Sequence, residues 1–282
     1  MYRLQPLTRF YDLYADKRKN LKYYYFFLPT STVSYVVSTN WLELFEKVCD
    51  AVDGALSAFK DWSEPGERAD QYLLDQVADQ AALAVLKGRG IGVLSEESGL
   101  FSESSDKIVI IDPIDGSTNA SRRIGHYGVS LCALDNSEPV AAMVFNLATG
   151  ECFTAEKDRG SKVDGKAIYP TSCSDLDEAI VGISGNPALP IASNQYRAFG
   201  AAALDLCSVA CGRLDGFIDP ISGSGVWDYA AGVFICQEAG AFVDEMYGNE
   251  LIHFEHARRL GPIAAATSEL LEELSGTQRL DS

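Results

Sequence analysis

Two carboxylates stand three residues apart in Asp112-Pro-Ile-Asp115-Gly-Ser-Thr-Asn119, directly behind the apolar run Ile108-Val-Ile-Ile111. Pro113 has a fixed φ and no backbone donor, so the chain between the acids cannot simply continue as a helix. Both acids and the Ile114 carbonyl can then converge on one point, a pocket of hard oxygen ligands of the kind magnesium prefers. Gly116 permits a tight turn, and the amides of Gly116, Ser117 and Thr118 would follow at the start of a helix, where anions bind well. Cation ligands and an anion cradle side by side point to phosphate chemistry. Taken alone, such a pair of acids is more often a turn and a helix cap than a metal site.

Further acids lie at element ends. Leu94-Ser-Glu-Glu-Ser-Gly99 puts Glu96 and Glu97 after the apolar Ile91-Gly-Val-Leu94, and Trp227-Asp-Tyr-Ala-Ala-Gly232 puts Asp228 at the start of a small-residue helix. Leu74-Asp-Gln-Val-Ala-Asp79 carries Asp75 and Asp79, and Gly200-Ala-Ala-Ala-Leu-Asp-Leu-Cys207 opens another helix. Trp227 reads as packing that aims Asp228. Asp79 reads as solvated, Asp205 as a helix-surface or core-satisfied acid, and Asp75 alone could be an ordinary surface acid. Glu97 is open between supporting the site and facing solvent.

These elements must be positioned by a regular fold. Thr39 or Asn40 can cap a helix with an apolar face of Leu42, Phe45, Val48, Val52, Leu56 and Phe59. A second helix is expected over 69–87, ending at Gly88-Arg-Gly90. Strands are expected at 91–94 and 108–111, then an antiparallel meander at 127–134, 140–146 and 151–155. After a Pro/Ser-rich stretch, the pattern predicts strands at 179–184, 241–244 and 263–266, with helices at 199–211, 229–237 and 268–274. The order suggests an α/β (α+β) sandwich of layered helices and sheets. It divides into a 1–38 extension, a 39–170 subdomain with the acidic motifs, and a 171–282 subdomain carrying Asp228.

Composition narrows the chemistry. The 282 residues are 47% hydrophobic, ample for a core, and carry a net charge of −17. Residues 1–40 hold six bases and two acids, which leaves 17 bases against 38 acids beyond them. Such a surface argues against a nucleic-acid polymer as partner. Seven scattered cysteines with no Cys-x-x-Cys pair read as buried thiols in a reducing compartment, with Cys207 and Cys211 as core thiols. The three histidines leave little scope for zinc, and His253 and His256 read as surface residues. No apolar run reaches membrane-spanning length and no signal peptide is apparent, so a cytoplasmic protein without a membrane partner is expected. The aromatic segment Tyr23–Phe27 reads as a surface strand or a dimer contact.

The combination of Asp112-Pro-x-Asp-Gly-Ser-x-Asn, the upstream Glu96-Glu97 and the downstream Trp227-Asp-x-Ala-Ala-Gly232 resembles the inositol monophosphatase family. That family belongs to the magnesium-dependent, lithium-sensitive phosphatases together with fructose-1,6-bisphosphatases. The likeness runs from about Thr39 to the C-terminus, and Glu238-Ala-Gly-Ala241 extends it. The resemblance implies two or three magnesium ions: Glu96, Asp112 and the Ile114 carbonyl on the first, Asp112, Asp115 and Asp228 on the second, Glu96 reaching a third. It implies that Ser117, paired with Asp75, orients and deprotonates the attacking water, and that the amides of Gly116 and Ser117 bind phosphate. Gly200, Ala201, Ala202 and Asp219 would line the pocket for the leaving alcohol. Glu97 could stand behind the site, and Arg197, Arg122 or Arg123 could serve a second phosphate. The substrate expected is a small phosphate monoester, with inositol 1-phosphate first. Fructose 1,6-bisphosphate or a nucleotide phosphate is the alternative, and a catalytically silent metal-binding relative the different-class alternative. Members are commonly homodimers.

Overall fold

The computed structural model describes residues 39–67, 71–101 and 106–277. The aromatic segment at 23–27, the rest of the 1–38 extension, and positions 69–70 of the second expected helix lie outside the described residues. Asn40 caps α1 (Trp41–Ala58), its side chain accepting from the Glu43 amide. Phe45, Val48, Val52 and Leu56 are buried, while Leu42 and Phe59 at the ends are half-buried. α2 (Leu73–Leu86) follows, started by the Asp75 carboxylate reaching back to the Tyr72 amide at 2.8 Å.

The chain then builds β1 (Gly92–Ser95), β2 (Gly99–Phe101), β3 (Lys107–Asp115), the short helix α3 (Ser117–Ser121), β4 (Gly128–Asp135), β5 (Glu138–Asn146), β6 (Cys152–Glu156), β7 (Ser161–Val163) and β8 (Lys166–Ala167). These strands form one sheet in the order β2-β1-β3-β4-β5-β6-β7-β8, antiparallel except for the parallel pair β1/β3. The expected meander is β4–β5–β6. β9 (Ile180–Ile183), β10 (Gln195–Arg197), α4 (Ala202–Ala210), β11 (Gly216–Ile218), α5 (Val226–Ala239), β12 (Phe242–Glu245), β13 (Pro262–Ala265) and α6 (Ser268–Gly276) complete the chain. Their five strands form a second sheet, β10-β9-β11-β13-β12.

Alternation along β3 and β4 decides the layering, because successive side chains leave a strand on opposite faces. Val109, Ile111, Val129, Leu131 and Ala133 pack with α1 and α2. Ile110, Cys132 and Leu134 pack on the other face with α4 and α5, which also contact Phe217 and Ala264 of the second sheet. α6 covers that sheet's far side through Leu270 and Leu274. The result is an αβαβα stack. Val226, Trp227, Tyr229 and Phe234 of α5 are all buried, as expected of a helix lying between two sheets.

Several elements depart from the sequence expectation. β3 runs on through the two acids to Asp115, so Asp112 and Asp115 belong to the strand and not to a turn beyond it. α4 begins at Ala202, three residues late, and α5 begins at Val226, three residues early. β2, β7, β8, β10 and β11 are strands of two or three residues that carry no periodic signal. All seven cysteines are free; Cys49, Cys132, Cys207 and Cys236 are buried, and Cys152, Cys173 and Cys211 are half-buried.

Glu238 shows how a family-like motif serves the fold. Its carboxylate accepts the amides of Asp158, Arg159 and Gly160 at 3.0–3.2 Å, closing the turn between β6 and β7 onto α5. Glu238→Ala leaves those amides without their acceptor and is expected to cost about 1–3 kcal/mol. Chemical denaturation should show the loss, with divalent-ion binding unchanged.

Candidate metal and phosphate site

The acids meet because β1 and β3 are parallel neighbours whose C-terminal ends lie side by side. Ser95 pairs with Ile111, and the next amide, that of Glu96, donates to the Ile111 carbonyl at 3.2 Å. Glu96 and Asp112 therefore leave adjacent strand ends. Between Asp112 and Asp115 the register against β4 shifts, three steps on β3 opposing two on β4. This is a β-bulge at Pro113, where the ladder has no donor to lose. The Ile114 amide turns back to Asp112 Oδ1 at 2.9 Å.

Asp228 arrives from the N-terminus of α5, its Oδ2 accepting the Gly225 amide at 2.6 Å. Glu96, Asp112 and Asp228 each offer an oxygen such that the three atoms lie within 4.8 Å of one another. Three carboxylates at that spacing repel unless a cation or proton lies between them. Burial, then the Asp228 charge, raises Glu96 to about 8. Burial, then Asp115, raises Asp228 to about 7, against the pull of the Arg259 guanidinium. Asp112, only 2% exposed, is pushed well up by burial and by the Glu96 charge. An all-oxygen donor set of this charge fits magnesium.

Asp115 stands beside this trio with a second task. Its Oδ2 accepts the Ala203 amide at 2.7 Å, capping α4 from 88 positions away in the chain. Burial raises its carboxyl to about 8 even so. That bond brings Gly200, Ala201 and Ala202 against the turn at Gly116. Gly116 sits at φ +88°, and a Cβ there would come within 3.0–3.2 Å of the His126 carbonyl, the Ala201 Cβ and the Gly200 carbonyl. Only glycine fits that space and conformation. Asn119, at the end of the octapeptide, donates to the carbonyls of His126 at 2.8 Å and Phe199 at 2.7 Å, locking the same junction.

Other expected residues are placed differently. Ser117 Oγ donates to the Ile114 carbonyl at 3.1 Å and not to Asp75, which is buried and holds the Tyr72 amide. Asp219 is 1% exposed, with Oδ1 accepting from the Ile221 amide and Oδ2 from the Gly223 and Ser224 amides and the Ser224 hydroxyl. It holds its own turn, and the side chain presented outward there is Ile221, 55% exposed. The Arg197 guanidinium is occupied by the Tyr196 carbonyl and the Gln195 side chain of its own strand. It lines a cleft of about 290 Å³ with His126, Phe199 and Arg213. Glu97 accepts from Gln71, and its charge adds to the crowding at Glu96.

Three residues expected in solvent or at the surface are buried or half-buried. Asp79, expected in solvent, is buried and accepts from Ser95 Oγ at 2.6 Å and from Ser98, fixing α2 to the end of β1. Asp205, by contrast, is buried and bonded to His126 Nε2 at 2.8 Å, as its core-satisfied reading expects. His253 is 7% exposed, not a surface residue. His256 is half-buried and bonded through Nε2 to the Glu96 carbonyl at 2.8 Å. Helical periodicity places Asp79 and Asp205 only on faces, and loop histidines have no periodicity to read, so tertiary contact alone reveals these partners.

The family model described as "Inositol monophosphatase family" matches residues 43–279. The chain belongs to the inositol monophosphatase family. A fructose-1,6-bisphosphatase/inositol-1-monophosphatase from Archaeoglobus fulgidus is 38% identical over 199 residues, 68% of this chain and 77% of its own. A Nus factor SuhB from Xylella fastidiosa is 33% identical over 192 residues, 62% of this chain and 68% of its own. Among solved structures, a Pyrococcus horikoshii protein described as similar to inositol-1 monophosphatase superposes with a TM-score of 0.77 at 26% identity, over 85% of this chain and 98% of that one. Family and cluster together support a magnesium-dependent phosphomonoesterase. Among the described residues, no helix is long and apolar enough to cross a membrane.

Proposed function

We propose that the protein hydrolyses the monophosphate ester of a small polyol, inositol 1-phosphate first, by attack of water on phosphorus. The observation that carries this reading is the convergence of Glu96, Asp112 and Asp228 beside the Gly116 turn. Glu96, Asp112, Asp115, Asp228 and the Ile114 carbonyl would hold two or three magnesium ions. Bound magnesium supplies charge neutralisation at the phosphate and makes water acidic enough to attack at neutral pH.

The chain's own groups do the rest. The first amides of a helix have no intrahelical acceptor, so those of Gly116 and Ser117 are available to the phosphate oxygens. Asp75, whose charge reaches Glu96, accepts the proton of the attacking water through Ser117. This requires the Ser117 hydroxyl to leave the Ile114 carbonyl by a χ1 rotation. A P–O bond forms from the water oxygen, the ester P–O bond breaks, and the leaving alkoxide takes a proton from solvent, to which Asp75 later returns the one it accepted. The backbone of Gly200, Ala201 and Ala202, held by Asp115, forms the wall nearest the leaving group.

A monophosphate is favoured because the segment leading to Asp228 offers no cation to a second phosphate. Residues 219–228 contain no Arg or Lys, and Arg197 is held by its own strand. The test is inorganic phosphate release from inositol 1-phosphate, fructose 1,6-bisphosphate, 3′-phosphoadenosine 5′-phosphate and NADP under saturating magnesium. The expected order of kcat/KM puts inositol 1-phosphate first; a higher value for the bisphosphate would reverse the substrate choice. Ser117→Ala is expected to lower turnover about 100-fold, the usual weight of positioned proton transfer. Magnesium binding should survive, and unchanged turnover would remove Ser117 from that role.

A further inference from the structure

The loop following β12 grips the metal-binding trio from behind. His256 Nε2 bonds the Glu96 carbonyl at 2.8 Å, and the His256 ring lies on Trp227 with centroids 4.6 Å apart and planes at 35°. Trp227 directly precedes Asp228, and its own carbonyl accepts from Ser130 Oγ of β4 at 2.9 Å. Its ring crosses Gly225 so closely that a Cβ there would sit 2.5 Å from it. Arg259 closes the arrangement: its guanidinium carbon is 5.0 Å from the Trp227 ring centroid, and Nη1 donates to the His256 carbonyl at 2.8 Å.

Glu96 and Asp228 come from elements distant in the chain, and no strand pairing joins β1 to α5. One imidazole spans them, by a hydrogen bond to one residue and a ring contact to the neighbour of the other. We infer that His256 is a positioning residue that sets the separation of the Glu96 and Asp228 carboxylates for divalent-ion binding. The inference rests on the proposed metal site. Because a carbonyl can only accept, Nε2 carries a hydrogen, as it does in both the imidazolium and one neutral tautomer. The grip therefore needs a donor and an aromatic face, and no change of charge.

Groups that orient metal ligands from outside typically govern affinity by 10–100-fold. His256→Ala is expected to raise the dissociation constant for Mn2+, read from free-ion electron paramagnetic resonance on the full chain, by about 10-fold. The magnesium concentration for half-maximal phosphate release should rise in proportion, while kcat at saturating magnesium stays near the wild-type value. His256→Gln, which keeps a donor, should recover most of the affinity. A residue serving only stability would lower Tm without this split between ion dependence and kcat. Should His256→Ala fail to fold, His256→Phe keeps the ring contact, lacks the donor and carries the same test. Wild-type Mn2+ affinity in the folded variant lacking the donor overturns the inference. Because Mn2+ binding is read directly, that failure is distinct from failure of the phosphatase reading, which would appear as no phosphate release by the wild-type protein.

Discussion

Asp112→Asn is expected to reduce magnesium-dependent phosphate release by a factor on the order of 10³ and to raise the Tm of the metal-free protein. Asp112 is the most enclosed of the trio, and its Oδ1 also holds the Ile114 amide that shapes the bulge. Asparagine keeps that acceptor and the shape of the side chain but removes the charge that a cation needs. A bound metal contributes several kcal/mol to the transition state, and each 1.36 kcal/mol is tenfold in rate. The loss should appear as metal affinity first: isothermal titration with Mg2+ should show little heat. Stability should move the other way. In chelator at pH 8 the wild-type trio is held together against mutual repulsion, and the variant relieves it. A rise on the order of 5 °C is expected, since each kcal/mol moves Tm by about 2–4 °C in a domain of this size. A variant that loses activity and also melts lower in chelator would mean that Asp112 serves the fold and not the ion.

The second large effect is a pH dependence of stability that changes sign with metal. Glu96 and Asp115 are raised to about 8 and Asp228 to about 7, chiefly by burial, and burial and the Glu96 charge also hold Asp112 well above its ordinary value. In the unfolded chain these acids titrate near 4. Between about pH 4 and pH 8 the metal-free folded state thus binds more protons than the unfolded one, so stability falls as pH rises. The contribution is fully present below the unfolded values and is lost through the folded ones. Calorimetry in chelator should show Tm falling from pH 5 to pH 8, with a shallower slope in Asp112→Asn. Saturating magnesium should reverse the trend, because ion binding requires the deprotonated acids. At one hundred times its dissociation constant an ion adds about 2.7 kcal/mol, or about 5–10 °C for a domain of this size. A metal-free Tm that is flat or rises over this range would contradict the burial and crowding of these acids.

The sequence makes the chemistry of the site legible further than its connections. Asp112, Glu96 and Asp228 stand out because ionised groups placed at the ends of apolar runs have no structural reason to be there in company. The helices at 41–58 and 268–276 are readable from periodicity and caps, since one face alone is buried. α5 is harder, because a helix enclosed on all sides has no polar face to mark its ends. β11 is three residues long, and its partners β9 and β13 are separated from it by loops and by both central helices. The second tasks of the acids are the least legible. Asp115 capping α4, Asp79 holding Ser95 and His256 holding Glu96 each join residues between 16 and 160 positions apart. Asp219 is as hard to read. A carboxylate facing a substrate and one folded into its own turn have the same local sequence, and the four donors from its own turn appear only in the fold.

The most direct test of a magnesium-dependent phosphomonoesterase centred on Glu96, Asp112 and Asp228 is inorganic phosphate release from inositol 1-phosphate by the full chain, titrated with Mg2+ and then with chelator. Release that rises saturably with Mg2+ and returns to background in chelator is the predicted result. No release from this ester or from the sugar and nucleotide esters, by protein shown to have bound Mg2+, would contradict it and leave a metal-binding relative without this activity.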